Sequence, residues 1–129
     1  MTETVKARIV IADDDLDILD LVVFKLAQAG FDTVAVTDGV AALAAIEAKP
    51  TSLAILDIMM PGLTGIEVLR QIRESETLSD LDVILLTARA SDSDVDSGFA
   101  NGASDYVIKP FSPRELLQRV NAVLARGDR

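Results

Sequence analysis

The stretch Leu53-Ala54-Ile55-Leu56-Asp57-Ile58-Met59-Met60-Pro61-Gly62 constrains the fold more than any other part of the chain. An apolar run of strand length ends on a lone carboxylate, and a Pro-Gly pair then breaks the backbone direction. A run with no polar alternation reads as a strand buried on both faces, the habit of parallel sheets covered by helices. Asp57 then stands at the carboxyl end of a central strand, the edge of an open α/β sheet where ligands bind. A single strand-ending Asp more simply serves a turn and faces water. The other strand ends tell against that account here.

Arg8-Ile9-Val10-Ile11-Ala12 repeats the layout and ends in Asp13-Asp14-Asp15. Leu16, Leu19, Val22, Val23 and Leu26 follow at helical spacing, and Gly30 suits the helix stop. Phe31 to Val36 reads as a short strand. Asp38 can cap an Ala-rich helix with Leu43 and Ile46 on its buried side, which Lys49-Pro50 ends. After Pro61-Gly62, Thr64-Gly65-Ile66-Glu67 has the form of a capping box, and Ile66, Leu69 and Ile72 make a core-facing stripe with Arg70 and Arg73 in the later turns. A polar connection from Glu74 to Asp82 leads into Val83-Ile84-Leu85-Leu86-Thr87, a strand ending on a hydroxyl.

Ser91 to Ala100 pairs Val95 with Phe99 at helical spacing, but its Ser, Asp and Gly make any helix there marginal. Tyr106-Val107-Ile108 is a last short strand, running into Lys109-Pro110-Phe111. Ser112-Pro113-Arg114-Glu115 then opens a helix carrying Leu116, Leu117, Val120 and Leu124. Five strands alternating with five helices call for right-handed crossovers and a single doubly wound parallel sheet covered on both faces. Its strand order is left open by this pattern. The strand ends share one edge, so Asp13, Asp14, Asp57, Thr87 and Lys109 are expected to converge.

With 129 residues the chain fits one domain, spanning 1–129, that can bury its own core. It has no cysteine and no histidine, which excludes disulfides, thiolate or imidazole metal sites and a Ser-His-Asp triad within the chain. A formal charge of −9 argues against direct nucleic-acid binding through a broad surface. No stretch is apolar for long enough to cross a bilayer, and the first residues lack the pattern of a signal peptide. A cytoplasmic protein without membrane contact is expected.

Converging carboxylates in a partly dry site repel, which raises their proton affinity unless a cation offsets the charge. Mg²⁺ prefers oxygen ligands and suits such a cluster, with Lys109 as a second positive charge. Asp57 can then act as a nucleophile toward phosphorus, Lys109 can neutralise phosphoryl oxygens and Thr87 can donate to one of them. Asp15 has the simpler task of capping the first helix.

The same residues resemble the receiver domain of two-component response regulators, of the CheY-like, flavodoxin-like type. The resemblance rests on Asp13-Asp14, Asp57-Ile58-Met59-Met60-Pro61-Gly62, Thr87-Ala88, Lys109-Pro110-Phe111 and Gly102-Ala103-Ser104-Asp105-Tyr106, five motifs in order over nearly the whole chain. It implies strand order 2-1-3-4-5 and a cis Lys109-Pro110 bond. It also implies Mg²⁺ held by Asp14, Asp57 and the Met59 carbonyl, with Asp13 acting mainly through a metal-bound water. Asp57 would accept a phosphoryl group from a sensor histidine kinase or a histidine phosphotransfer protein, and Tyr106 would change rotamer as Thr87 moves toward the phosphate. The domain would be consumed as a substrate rather than turn over as an enzyme, and would signal to a downstream effector protein or domain. A phosphorylation-dependent dimer is compatible with this. The chain is expected to be either a stand-alone receiver or a piece of a longer regulator.

Met59 and Arg89 would line the approach to the site, and a bulky Met there should hinder attacking water. The segment from Ser91 to Ala100 is the candidate moving part. Two other classes fit parts of the pattern. A Mg²⁺-dependent phosphohydrolase uses similar acids, but Met59 stands where its second acid belongs. A docking module would keep the fold without needing the acids.

Overall fold

The computed structural model describes residues 6–88 and 100–127. Five strands, β1 (Arg8–Ala12), β2 (Asp32–Val36), β3 (Leu53–Asp57), β4 (Asp82–Thr87) and β5 (Asp105–Ile108), form one sheet in the order β2-β1-β3-β4-β5. Every pairing is parallel, as βαβ crossovers require. The described helices are α1 (Leu16–Gln28), α2 (Gly39–Ala48), α3 (Gly65–Glu74) and α4 (Pro113–Gly127). The expected helix over 91–100 lies outside the described residues except at Ala100, and so does Arg89. No helix among the described residues is long and apolar enough to cross a membrane.

The strand period of two divides the apolar side chains between two faces. Ile9, Ile11, Ile55, Ile84 and Leu86 pack against α1 and α4 through Leu19, Val22, Leu26, Leu116, Val120 and Val123. Val10, Ala54, Leu56, Val83 and Leu85 pack against α2 and α3 through Ala42, Ile46, Val68, Leu69 and Ile72. β3 is buried along its whole length, as its unbroken apolar run requires, whereas the edge strand β2 is half open to solvent.

Local chemistry fixes the element ends. Asp15 Oδ1 accepts from the Asp17 and Ile18 amides at 3.0 and 3.2 Å, so its capping role holds. Gly30, at φ 98°, ends α1 with its own amide on Ala27 O and the Phe31 amide on Leu26 O, the paired bonds of a Schellman motif. Asp38 caps α2 through the Ala41 amide at 2.7 Å. The Thr64/Glu67 box opens α3 with both of its reciprocal bonds formed. The Glu74–Asp82 connection is less polar in effect than its composition: Leu81 is buried and Leu78 partly so, both in the second core cluster. Asp82 itself begins β4, paired with Leu53.

Candidate functional site

Strand ends deliver the site, and backbone bonds between neighbouring strands hold them in step. The Asp13 amide donates to Val36 O at 3.2 Å, the Ile58 amide to Leu86 O at 2.9 Å and the Lys109 amide to Thr87 O at 2.6 Å. Asp13 is fully buried, Asp57 and Thr87 nearly so, and Asp14 is exposed. The Lys109–Pro110 bond is cis.

Asp13 Oδ1 accepts from the Asp15 amide at 2.9 Å, which turns Oδ2 toward Lys109, 2.8 Å from Nζ. The same ammonium donates to Asp57 Oδ2 at 3.1 Å, while Asp57 Oδ1 accepts from the Met59 amide at 3.2 Å. Lys109 thus bridges two carboxylates from different strands. Its contact with Asp13 is ionic and lacks hydrogen-bond alignment, so Asp13 Oδ2 is buried without a hydrogen bond.

The electrostatics follow from burial. Desolvation pushes the Asp57 carboxyl from 3.8 up to about 6, and the neighbouring Asp13 charge adds to the rise; the Lys109 ammonium and the Met59 amide offset only part of it. For Lys109, burial alone would lower the pKa, but its contacts with Asp13 and Asp57 together outweigh burial and raise it. Carboxylate oxygens of Asp13, Asp14 and Asp57 lie within 4.8 Å of one another. Three carboxylates against one ammonium leave an excess of negative charge. That excess, an all-oxygen donor set and an Asp13 Oδ2 that has an ion pair but no hydrogen bond fit a hard divalent cation such as Mg²⁺.

The loop after Asp57 is shaped by close approach. Gly65 donates its amide to Ile58 O at 3.1 Å, and a Cβ on Gly65 would run into the Asp57 carbonyl oxygen. Gly62 has φ 73°, so the Pro61-Gly62 break is a left-handed turn as well as the end of a strand. Met59 is 72% exposed at the mouth of the site.

Residues 9–121 match the family described as "Response regulator receiver domain". The chain belongs to the response-regulator receiver family. The receiver is 40% identical over 126 residues to the DNA-binding response regulator MtrA of Mycobacterium tuberculosis, an alignment covering 98% of this chain and 54% of MtrA. It therefore spans about half the length of such curated relatives. Among solved structures, chemotaxis response regulator CheY4 of Vibrio cholerae superposes with a TM-score of 0.87 at 29% identity, covering 92% of this chain and 99% of CheY4. A BeF3-activated DrrB receiver domain superposes at 0.84 with 36% identity, covering 94% and 99%. Two-component signalling is thus the setting of this receiver, and the strand order agrees with the one the resemblance implied.

The structure brings together Asp13, Asp14, Asp57 and Lys109, with Thr87 ending the strand beside Asp57. Tyr106 stands apart from them on β5, paired with Leu85 and partly buried against the second core cluster. Arg73 has a part that its place in the sequence did not disclose. Its guanidinium donates to the carbonyls of Ser79 at 3.1 Å, Leu81 at 2.5 Å and Gly102 at 2.7 and 3.0 Å, tying α3 to the segments that enter β4 and β5. The available signal was an Arg three residues after Arg70, next to the apolar Ile72 and therefore close to the core-facing stripe.

Proposed function

We propose that this receiver is a phosphorylation-controlled switch in which Asp57 accepts a phosphoryl group from a sensor histidine kinase or a histidine phosphotransfer protein. The observation that carries the reading is the Lys109 ammonium held between Asp13 and Asp57, beside a buried carboxylate oxygen with no hydrogen bond. Asp14, Asp57 and the Met59 carbonyl would hold Mg²⁺, with Asp13 engaged mainly through a bound water. Bound there, the ion would supply positive charge to the phosphoryl oxygens and offset the repulsion that raises the Asp57 carboxyl.

The chain's own residues perform the transfer. An Asp57 carboxylate oxygen attacks phosphorus, the new O–P bond forms as the bond from phosphorus to the donor's imidazole nitrogen breaks, and the donor leaves with that electron pair. Lys109 is already within bonding distance of Asp57 Oδ2, so it can follow the charge onto a phosphoryl oxygen without a long side-chain movement. The Thr87 hydroxyl supplies a further donor. Its movement toward the phosphate is read out by Tyr106, whose change of rotamer alters the face that β5 makes with α4.

An effector protein or domain, or a second copy of the chain, reads that face. The net charge of −9 disfavours direct contact with nucleic acid by the receiver itself. In this reading the domain is a substrate that assists its own modification, and its location is cytoplasmic. Acetyl phosphate with Mg²⁺ tests it. A stable mass gain of one phosphate supports the switch, steady release of phosphate indicates a hydrolase, and no reaction indicates a docking module.

A further inference from the structure

The loop from Ile58 to Thr64 leads from the phosphoacceptor to α3, and each of its ends rests against a glycine that opens a helix. At the near end, a Cβ on Gly65 would meet the Asp57 carbonyl carbon at 2.9 Å and Ile58 Cα at 3.0 Å. At the far end stands Gly39, the first residue of α2. A Cβ there would meet the Leu63 carbonyl oxygen, Leu63 Cβ at 2.7 Å and Leu63 C at 2.9 Å. Neither Gly39 nor Gly65 has a positive φ. Their own backbones would accept a side chain; the neighbouring loop would not.

We propose that Gly39 is a positioning residue for phosphoryl acceptance at Asp57, acting through Leu63; the inference rests on the function proposed above. The atoms facing Gly39 are mostly backbone, so no rotamer change moves them aside. α2 is the firmer partner, since Asp38 caps it at the Ala41 amide and Ala42 and Ile46 are buried in the core. Bulk at Gly39 therefore displaces Leu63. From Leu63 the chain runs through Thr64 to Gly65, whose amide donates to Ile58 O at 3.1 Å and which has no room for a Cβ beside the Asp57 carbonyl, so the shift passes to the start of the loop without crossing the Gly62 turn. The displacement reaches Met59, whose amide holds Asp57 Oδ1 and whose carbonyl is assigned to the metal.

The test compares Gly39→Ala with Gly30→Ala as a control for lost stability. Gly30 has φ 98° and a Cβ there meets nothing within 4 Å, so that substitution strains the end of α1 without touching the loop. Two readouts are taken: the Met59 amide resonance and its hydrogen exchange in metal-free protein, and the rate of mass gain with acetyl phosphate and Mg²⁺. Gly39→Ala is expected to shift the Met59 resonance and slow phosphorylation by about tenfold or more, as misplacement of a reacting group does. Gly30→Ala, at a comparable loss of Tm, leaves the Met59 resonance unmoved and the rate within about twofold.

An unmoved Met59 resonance with an unchanged rate in Gly39→Ala overturns the proposal, as does equal slowing by Gly30→Ala. If Gly39→Ala does not fold, Asp38→Ala loosens the same helix start; faster exchange at the Met59 amide then supports the proposal and unchanged exchange overturns it. Failure of the wild-type chain to take up phosphate contradicts the role of Asp57, while the metal-free amide comparison still decides the role of Gly39.

Discussion

Lys109 Nζ stands 2.8 Å from Asp13 Oδ2, a carboxylate oxygen with no hydrogen bond of its own, and 3.1 Å from Asp57 Oδ2. One ammonium thus restrains two buried acids from different strands. It offsets their repulsion in part, because the Asp57 carboxyl is still raised to about 6. The protein's own groups leave the site short of positive charge, and its expected behaviour follows from that shortage.

The raised Asp57 pKa is a cost to the metal-free fold, and its sign is definite. Below the unfolded value of 3.8 the group is protonated in both states, and above about 6 it is charged in both, so the penalty grows across that window as pH rises. A rise of that size is worth roughly 3 kcal/mol. Asp57→Asn is therefore expected to be more stable than wild type at pH 7.5 by about 1–3 kcal/mol, with the gap closing toward pH 4. Urea unfolding of both proteins across that range checks it.

Mg²⁺ should stabilise the native chain, since it binds the folded cluster and not the unfolded chain. At a hundredfold excess over Kd the gain is about 2.7 kcal/mol. Binding competes with protons at Asp57, so the gain should fade as pH drops below about 6. Thermal melts with and without Mg²⁺ at pH 5 and pH 8 measure this, and Asp13→Asn should reduce the response at pH 8.

Removing Lys109 leaves the two acids facing each other. In Lys109→Ala the Asp57 pKa should rise above its wild-type value in metal-free protein, because the largest offsetting charge is lost. Carboxyl carbon shifts followed by NMR titration report it. Phosphorylation by acetyl phosphate should slow in the same variant by about two orders of magnitude, as loss of one electrostatic donor does elsewhere.

Arg73 offers a contrasting case, a residue for stability rather than chemistry. Truncating it removes its bonds to the Ser79 and Leu81 carbonyls, which are partly buried, and to the exposed Gly102 carbonyl. Arg73→Ala should cost about 2–4 kcal/mol. Arg73→Lys should recover little, because a single ammonium cannot reproduce the planar fork. Folded variant protein should take up phosphate within about twofold of the wild-type rate.

Strand ends and helix caps were legible in the sequence because each depends on a few adjacent residues. The acids after β1, Asp57 at the end of β3, the Asp15 and Asp38 caps and the Thr64/Glu67 box are all local patterns. Strand order required the family resemblance, since apolar runs of similar composition carry no label for their neighbours. Contacts between distant segments were not legible. Arg73 reaches Gly102 across 29 positions, and Gly39 meets Leu63 across the β3 crossover. Neither pairing has a periodicity to betray it. The local traces were a glycine at the first turn of a predicted helix, where a better helix former would serve, and an Arg beside the core-facing stripe of another.

Asp57 as the phosphoryl acceptor is the centre of the mechanism, and borohydride reduction after treatment with acetyl phosphate and Mg²⁺ probes it without an intermediary. Reduction converts an aspartyl phosphate to homoserine, which peptide mass spectrometry places in the chain. Homoserine is expected at position 57, dependent on Mg²⁺ and absent from Asp57→Asn. Homoserine at position 13 or 14, or an unreduced Asp57 in protein that has gained a phosphate, would be incompatible with that role.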